Sequence, residues 1–121
     1  MNKLTIIGNL TKDPELRTTS AGVNVCDFTV AVNRRKKIEG QPEADFFRVS
    51  AWRQLGENCA KFLGKGSKVS VVGPVSVRTY QSNGETRASL EVVAEDVEFL
   101  SGKNVDPQSG YEKVNPSDLP Y

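Results

Sequence analysis

The alternation of apolar and polar residues predicts five β-strands in the first hundred residues. Successive side chains of a strand point to opposite faces, so a half-buried strand alternates with a period of two. The predicted strands cover residues 3–11, 24–33, 45–52, 68–80 and 86–97. Pro74 cannot donate a backbone hydrogen bond, so the fourth strand must have an edge or a bulge there. Asn83-Gly84 predicts a tight hairpin turn between the last two strands.

One segment has helical spacing instead. Leu55, Cys59, Phe62 and Leu63 fall at i, i+4, i+7 and i+8, which predicts a helix over residues 54–63 with one buried stripe. The order is therefore three strands, a helix and two strands. This order is typical of an OB-fold, so we predict an all-β, five-stranded Greek-key barrel with one helix between strands 3 and 4. Other five-stranded barrels would also fit the order.

The character of the chain changes at Ser101. Prolines and glycine stand among polar residues with little to bury, which predicts a folded domain over residues 1–100 and a short disordered C-terminal tail over 101–121. No apolar run approaches the ~20 residues of a membrane-spanning helix. The first residues do not match a signal peptide. We therefore expect a cytoplasmic protein that contacts no membrane.

Composition argues against an enzyme. The chain has no histidine, and its two cysteines, Cys26 and Cys59, form no CxxC pair and are expected to be buried reduced thiols. Histidine is the commonest general base and the commonest metal ligand. With no nucleophile elbow, phosphate loop or metal spacing, we predict no catalytic site, no cofactor and no bound metal. The net charge of +1 neither favours nor excludes a nucleic-acid partner.

The third predicted strand has two distinct faces. One face is an ordinary apolar core face, and the other carries Phe46, Arg48, Ser50 and Trp52. The core does not need two aromatic rings beside an arginine on its outward side. Unpaired bases do, because a ring stacks on a base and a guanidinium contacts a neighbouring phosphate. The alternative is that these rings cover the mouth of the barrel or a subunit contact.

Two further features carry candidate binding residues. Tyr80 stands just before the predicted hairpin turn, with Arg78 and Arg87 on either side of it, so an extended hairpin would present all three on an exposed arm. Four consecutive basic residues, Arg34-Arg35-Lys36-Lys37, follow the second strand and could contact phosphates. The alternatives are an ordinary surface hairpin and a solvated loop.

Several segments resemble the bacterial single-stranded DNA-binding proteins. They are residues 1–17, 28–34, 52–58, 63–67 and 78–80, with the following Asn83-Gly84. The resemblance covers residues 1–100. It implies a homotetramer of OB-folds that binds and protects single-stranded DNA, with little regard to sequence, during replication, recombination and repair. It also implies that Phe46, Trp52 and Tyr80 are the stacking aromatics.

Two positions depart from that family. Many members place a further stacking aromatic just after the second strand, where this chain has Lys36. That exchange implies more salt-dependent binding. The family tail ends in several acids, an apolar residue, proline and phenylalanine, and this tip recruits replication and repair proteins. Here Asp118, Leu119, Pro120 and Tyr121 keep the apolar-proline-aromatic order with one adjacent acid, so we expect weaker partner binding.

Two other functions fit the same sequence pattern. An OB module that binds RNA would prefer RNA to DNA of equal sequence. A protein-interaction module would use Phe46 and Trp52 as a contact surface and would bind no nucleic acid.

Overall fold

The structure is a computed structural model, and it describes residues 1–101. These residues form eight strands and one helix. The elements are β1 (Leu4–Leu10), β2 (Glu15–Thr18), β3 (Asn24–Asn33), β4 (Ala44–Trp52), α1 (Arg53–Phe62), β5 (Lys68–Gly73), β6 (Val75–Ser82), β7 (Glu85–Val93) and β8 (Asp96–Phe99).

The predicted fold class is confirmed, with differences in detail. The fourth predicted strand is β5 and β6 together, and the fifth is β7 and β8. Strand β2 was not predicted. All four of its residues are exposed, so it lacks the alternation by which a half-buried strand is found. It pairs with β3 as a short antiparallel hairpin.

The strands form one sheet that curls on itself. The order is β6-β7-β4-β3-β1-β5-β8, with β2 paired to β3. Neighbouring strands are antiparallel except β4 and β7, which run parallel. A single residue separates β5 from β6 along the chain, although the two lie near opposite ends of the order. The ends of the sheet must therefore meet, which produces the small barrel of an OB-fold.

A bulge accompanies Pro74, which is one of the two alternatives that the sequence predicts there. Val75 pairs with Val92 in one part of this long hairpin, and Val72 pairs with Asp96 in the other. Val72 and Val75 are three positions apart along the chain, whereas their partners Val92 and Asp96 are four positions apart. The segment of β7 and β8 therefore holds one extra residue. Such a bulge bends the hairpin, so that β6 and β7 pair at one end of the strand order and β5 and β8 pair at the other. The carbonyl of Pro74 still accepts a hydrogen bond from the Val93 amide.

The barrel interior is apolar and is closed by helix α1. Its core includes Phe28, Val30, Val49, Val69 and Val71. The helix packs most closely on β3 and β4. A Cβ at Gly56 would overlap the carbonyl oxygen of Ala51 and crowd the amide of Cys26, so this position must be glycine for so close an approach.

The predicted buried stripe of the helix is wrong at Phe62. The side chain is half exposed, and its ring lies 6.0 Å from the ring of Phe99, measured between centroids. The helix ends at Phe62, and Leu63 follows with extended backbone and a fully buried side chain. The helical spacing assigned both Phe62 and Leu63 to the core. In the structure Leu63 alone is buried there.

Cys26 and Cys59 are free and buried, which confirms the prediction for both. Burial disfavours the thiolate, and it raises the pKa of Cys26 to about 11 and that of Cys59 to about 12. Among residues 1–101, no helix has the length and hydrophobicity needed to cross a membrane.

Candidate nucleic-acid interface

The outer face of β4 carries the predicted aromatic residues. Val49 and Ala51 are buried on the inner face, and the alternation turns Phe46 and Trp52 outward, where they are 56% and 41% exposed. Trp52 lies six positions after Phe46. At about 3.3 Å per residue the Cα atoms of these two residues stand roughly 20 Å apart, with Arg48 and Ser50 between them.

Strand pairing extends this face over β7 and β6. The parallel register sets Arg48 of β4 opposite Glu91 of β7. The next pairing sets Arg78 opposite Ser89 and Tyr80 opposite Arg87. Directly opposed residues share one face of a sheet, so these side chains continue the surface that begins on β4.

The hairpin of β6 and β7 projects as an exposed arm, as predicted. Tyr80 is 45% exposed on one face, and Val77 is exposed on the other. Both faces are open to solvent because this part of the hairpin lies beyond the barrel. Asn83 and Gly84 have φ of 52° and 79°, the left-handed values that a primed hairpin turn requires.

Three adjoining recesses form a groove across the sheet. The first, about 330 Å³, is lined by Arg34, Phe46 and Tyr80, among others. The second, about 260 Å³, shares Tyr80 with the first and adds Arg48 and Arg78. The third, about 290 Å³, shares both arginines with the second. The structure thus brings together Arg34, Phe46, Arg48, Arg78 and Tyr80 along one path.

Other predicted site residues stand apart from these recesses. Trp52 lines none of the three and lies across from Val25 at the far end of β4. Val25 is fully buried but lies outside the core cluster. Arg35 and Lys36 are exposed in the loop after β3. Arg87, opposite Tyr80, lies 3.7 Å from the carboxylate of Glu85.

The third recess contains basic residues that the sequence analysis missed. Lys12 and Arg17 line it together with Arg48. Arg17 lies on β2, so its outward orientation could not be inferred without that strand. The register of β2 on β3 was the missing information, since it sets Arg17 beside Val25 and in line with Trp52.

Carboxylates balance the positive charge in the groove, since its three recesses are lined by five basic and five acidic side chains. Arg34 donates to Asp45 at 2.7 Å, and this hydrogen bond is the main cause that lowers the pKa of Asp45 below its ordinary value. Arg78 lies 3.8 Å from Glu91. By contrast, Arg48 forms no ion pair with any described residue, so its charge is available to a ligand.

The chemistry of this face is suited to binding rather than to a reaction. Among residues 1–101, no cluster of histidine, cysteine or acidic side chains could hold a metal ion. Exposed rings offer stacking surfaces, and arginines and lysines offer charge. The predicted tip residues Asp118, Leu119, Pro120 and Tyr121 lie outside the described residues.

Comparison with known proteins identifies the family. The family model described as the single-strand binding protein family matches residues 1–100. "Single-stranded DNA-binding protein 3" of Listeria innocua serovar 6a is 46% identical over 123 residues, which cover 100% of this chain and 77% of that protein. "Single-stranded DNA-binding protein 2" of Listeria monocytogenes serovar 1/2a is 50% identical over 106 residues, 86% of this chain and 66% of that protein.

A third relative matches over its full length. "Single-stranded DNA-binding protein 2" of Clostridium acetobutylicum is 43% identical over 133 residues, which cover 100% of both chains. The family consists of binding proteins rather than enzymes, in agreement with the sequence analysis. The family resemblance noted in the sequence is confirmed, and the chain belongs to the single-strand binding protein family.

Proposed function

We propose that this protein binds and protects single-stranded DNA without sequence preference, during replication, recombination and repair. The observation that carries the proposal is one outward face with exposed Phe46 and Trp52 on β4 and Tyr80 on the neighbouring arm. Arginines line the groove beside two of these rings. The family and its named relatives support the same ligand.

Base stacking provides selectivity for single strands. Every base has a flat face, so stacking on Phe46, Trp52 and Tyr80 tolerates any sequence. A duplex hides those faces inside its own stack and cannot use the rings. The spacing of roughly 20 Å between Phe46 and Trp52 allows separate bases to stack on each ring.

Positive charge holds the phosphates. We assign this role to Arg34, Arg35, Lys36, Arg48, Arg78 and Arg87. Each contact with a phosphate releases counterions, so affinity falls as salt rises. Arg48 is the best placed of these residues, because it lies on the groove between Phe46 and Trp52 and has no carboxylate partner among the described residues.

We further propose a homotetramer located in the cytoplasm with the nucleoid. Large apolar side chains are exposed on β1, α1 and β8, away from the binding face; they include Ile7, Phe62 and Phe99. Contacts between subunits would cover some of them. Analytical ultracentrifugation tests this point. A tetramer has about four times the 13.3 kDa mass of one chain, and a species of monomer mass would refute it.

We also propose that the terminal residues Asp118, Leu119, Pro120 and Tyr121 bind replication and repair proteins. Deletion of residues 101–121 should leave affinity for DNA nearly unchanged and remove partner binding. A tenfold or greater loss of DNA affinity would contradict this division of roles.

The direct test of DNA binding is a fluorescence titration of Trp52, the only tryptophan in the chain. Oligo-dT, oligo-U and duplex DNA of equal length are added at two salt concentrations. We expect strong quenching by oligo-dT, much weaker quenching by duplex, and lower affinity at the higher salt. Stronger binding of oligo-U would indicate an RNA-binding protein. If no ligand quenches Trp52 and none shifts the protein in a gel, the proposed function is wrong.

A further inference from the structure

We infer that carboxylates lining the groove act as built-in competitors of DNA phosphates and limit the affinity of the groove. The residues concerned are Asp45, Asp27 and Glu91, and the inference rests on the proposed function. It also adds Arg17 to the binding residues. Each carboxylate occupies an arginine in the free protein, and a phosphate must displace it to make the same contact.

The Arg34–Asp45 pair is the best-defined case. One oxygen of Asp45, Oδ1, accepts from both Nε and Nη2 of Arg34, at 3.2 and 2.7 Å. Nη1 donates to Gln41 at 3.2 Å. Every guanidinium nitrogen therefore has a protein acceptor, although Arg34 lines the same recess as Phe46 and Tyr80. A phosphate arriving there meets an arginine with three of its five N–H donors already in use.

The opposite end of the groove repeats the arrangement. Nε of Arg17 donates to Asp27 at 2.5 Å, and the other oxygen of Asp27 accepts from Ser50 at 3.1 Å. All three side chains line the recess that also contains Arg48. Asp27 is thus fixed on the binding face between two donors, with its negative charge beside the proposed path of the phosphates.

Glu91 supplies the third case near the middle of the groove. Its carboxylate lies 3.8 Å from Arg78 and is set opposite Arg48 by the register of β4 on β7. The groove therefore contains three arginine–carboxylate pairs, one in each of the cases described above. The lining of the three recesses holds five basic and five acidic side chains, so the groove has no excess of positive charge in the free protein.

The consequence follows from elementary electrostatics. Exchanging carboxylate for phosphate replaces one ion pair by another, so the net gain per arginine is small. The displaced carboxylate remains nearby and repels the incoming phosphate. Removing the carboxylate charge therefore strengthens DNA binding, provided that the arginine stays in place.

The test compares isosteric variants in the full chain. Asp45→Asn and Asp27→Asn remove one charge each and retain shape. Binding of fluorescently labelled oligo-dT is followed by anisotropy, and melting temperatures verify folding. We expect each variant to bind about threefold to tenfold more tightly than wild type at low salt. The gain should shrink at high salt, where exposed charges are screened.

Two further variants make the interpretation specific. Glu95→Gln is the matched control, because Glu95 pairs with Lys3 at 3.3 Å and lines none of the three recesses. It should leave affinity unchanged. Asp45→Glu restores the charge and should return affinity to the wild-type value.

The outcomes separate this inference from the proposed function. Binding of oligo-dT by the wild type tests the function, and the ratio of variant to wild type tests the competition. Unchanged or weaker binding by both Asp45→Asn and Asp27→Asn overturns the inference, because the carboxylates would then only position the arginines. An equal gain in Glu95→Gln also overturns it, because the effect would reflect net charge alone. Absence of any binding by the wild type refutes both.

Discussion

Substituting Phe46 and Trp52 by alanine tests the binding face most directly. Each substitution removes one stacking platform and retains the neighbouring arginines. Stacking contributes about 1–3 kcal/mol per base, a general figure measured for single-strand binding proteins rather than calculated from this structure. At 1.36 kcal/mol per factor of ten, each variant should bind oligo-dT about fivefold to 150-fold more weakly.

The two variants should differ in stability. Phe46 is 56% exposed, so roughly 90 Å² of its surface leaves water on folding, worth at most about 2 kcal/mol. Trp52 is 41% exposed and larger, so the corresponding limits are roughly 140 Å² and about 3.5 kcal/mol. Trp52 also pairs directly with the buried Val25. We therefore expect Trp52→Ala to lower the melting temperature clearly more than Phe46→Ala does.

The assay pairs anisotropy titrations with thermal denaturation for both variants. Val77→Ala serves as the control, since Val77 is an exposed residue on the opposite face of the hairpin arm. It should change neither affinity nor salt dependence. Wild-type affinity in Phe46→Ala would refute the stacking role of that ring. A fall of more than about 15 °C in its melting temperature would show that Phe46 supports the core or a subunit contact instead.

Three further predictions concern other parts of the molecule. Lys36→Tyr supplies an aromatic ring in place of a charge, so its affinity should fall less steeply with salt; an unchanged slope would contradict this. Asn83→Ala should cost about 1 kcal/mol in chemical denaturation, because Asn83 has φ of 52°, and equal stability would refute the argument. Burial raises the pKa of Cys26 to about 11 and of Cys59 to about 12, against 9.0 ordinarily. Because the folded state favours the neutral thiols, they contribute to the free energy of unfolding. The contribution is complete below about pH 9 and is lost as pH rises towards 11–12. Both thiols should therefore resist alkylation at pH 8 until the protein is unfolded in urea, and rapid labelling of the folded protein would disprove it.

The sequence was sufficient to predict which side chains of a single strand face inward and which face outward. Strict alternation placed Phe46 and Trp52 outside and Val49 and Ala51 inside, and the structure agrees. It was not sufficient to predict structure that depends on pairing between separate segments of the chain. Strand β2 is exposed along its whole length and has no period to detect.

Charge pairing was hidden for the same reason. The contact between Arg17 and Asp27 arises from the register of β2 on β3. That between Arg78 and Glu91 depends on the pairing of β6 with β7. No local pattern reports either contact, so residues of both signs were counted as separate charges. The net charge of the chain consequently gave no indication of how the arginines and carboxylates are paired along the groove.

Stacking and charge make different contributions to ligand choice on this face. Both single strands and duplexes carry phosphates, so the arginines by themselves distinguish the two poorly. Only an unpaired strand exposes base faces to the rings. Carboxylates that weaken each phosphate contact therefore lower the affinity for single strands and duplexes alike, and the preference for single strands comes from stacking. Under this argument, Phe46→Ala reduces binding of single strands alone and narrows the difference in affinity between the two ligands, whereas Asp45→Asn strengthens binding of duplex and single strands alike and leaves that difference unchanged.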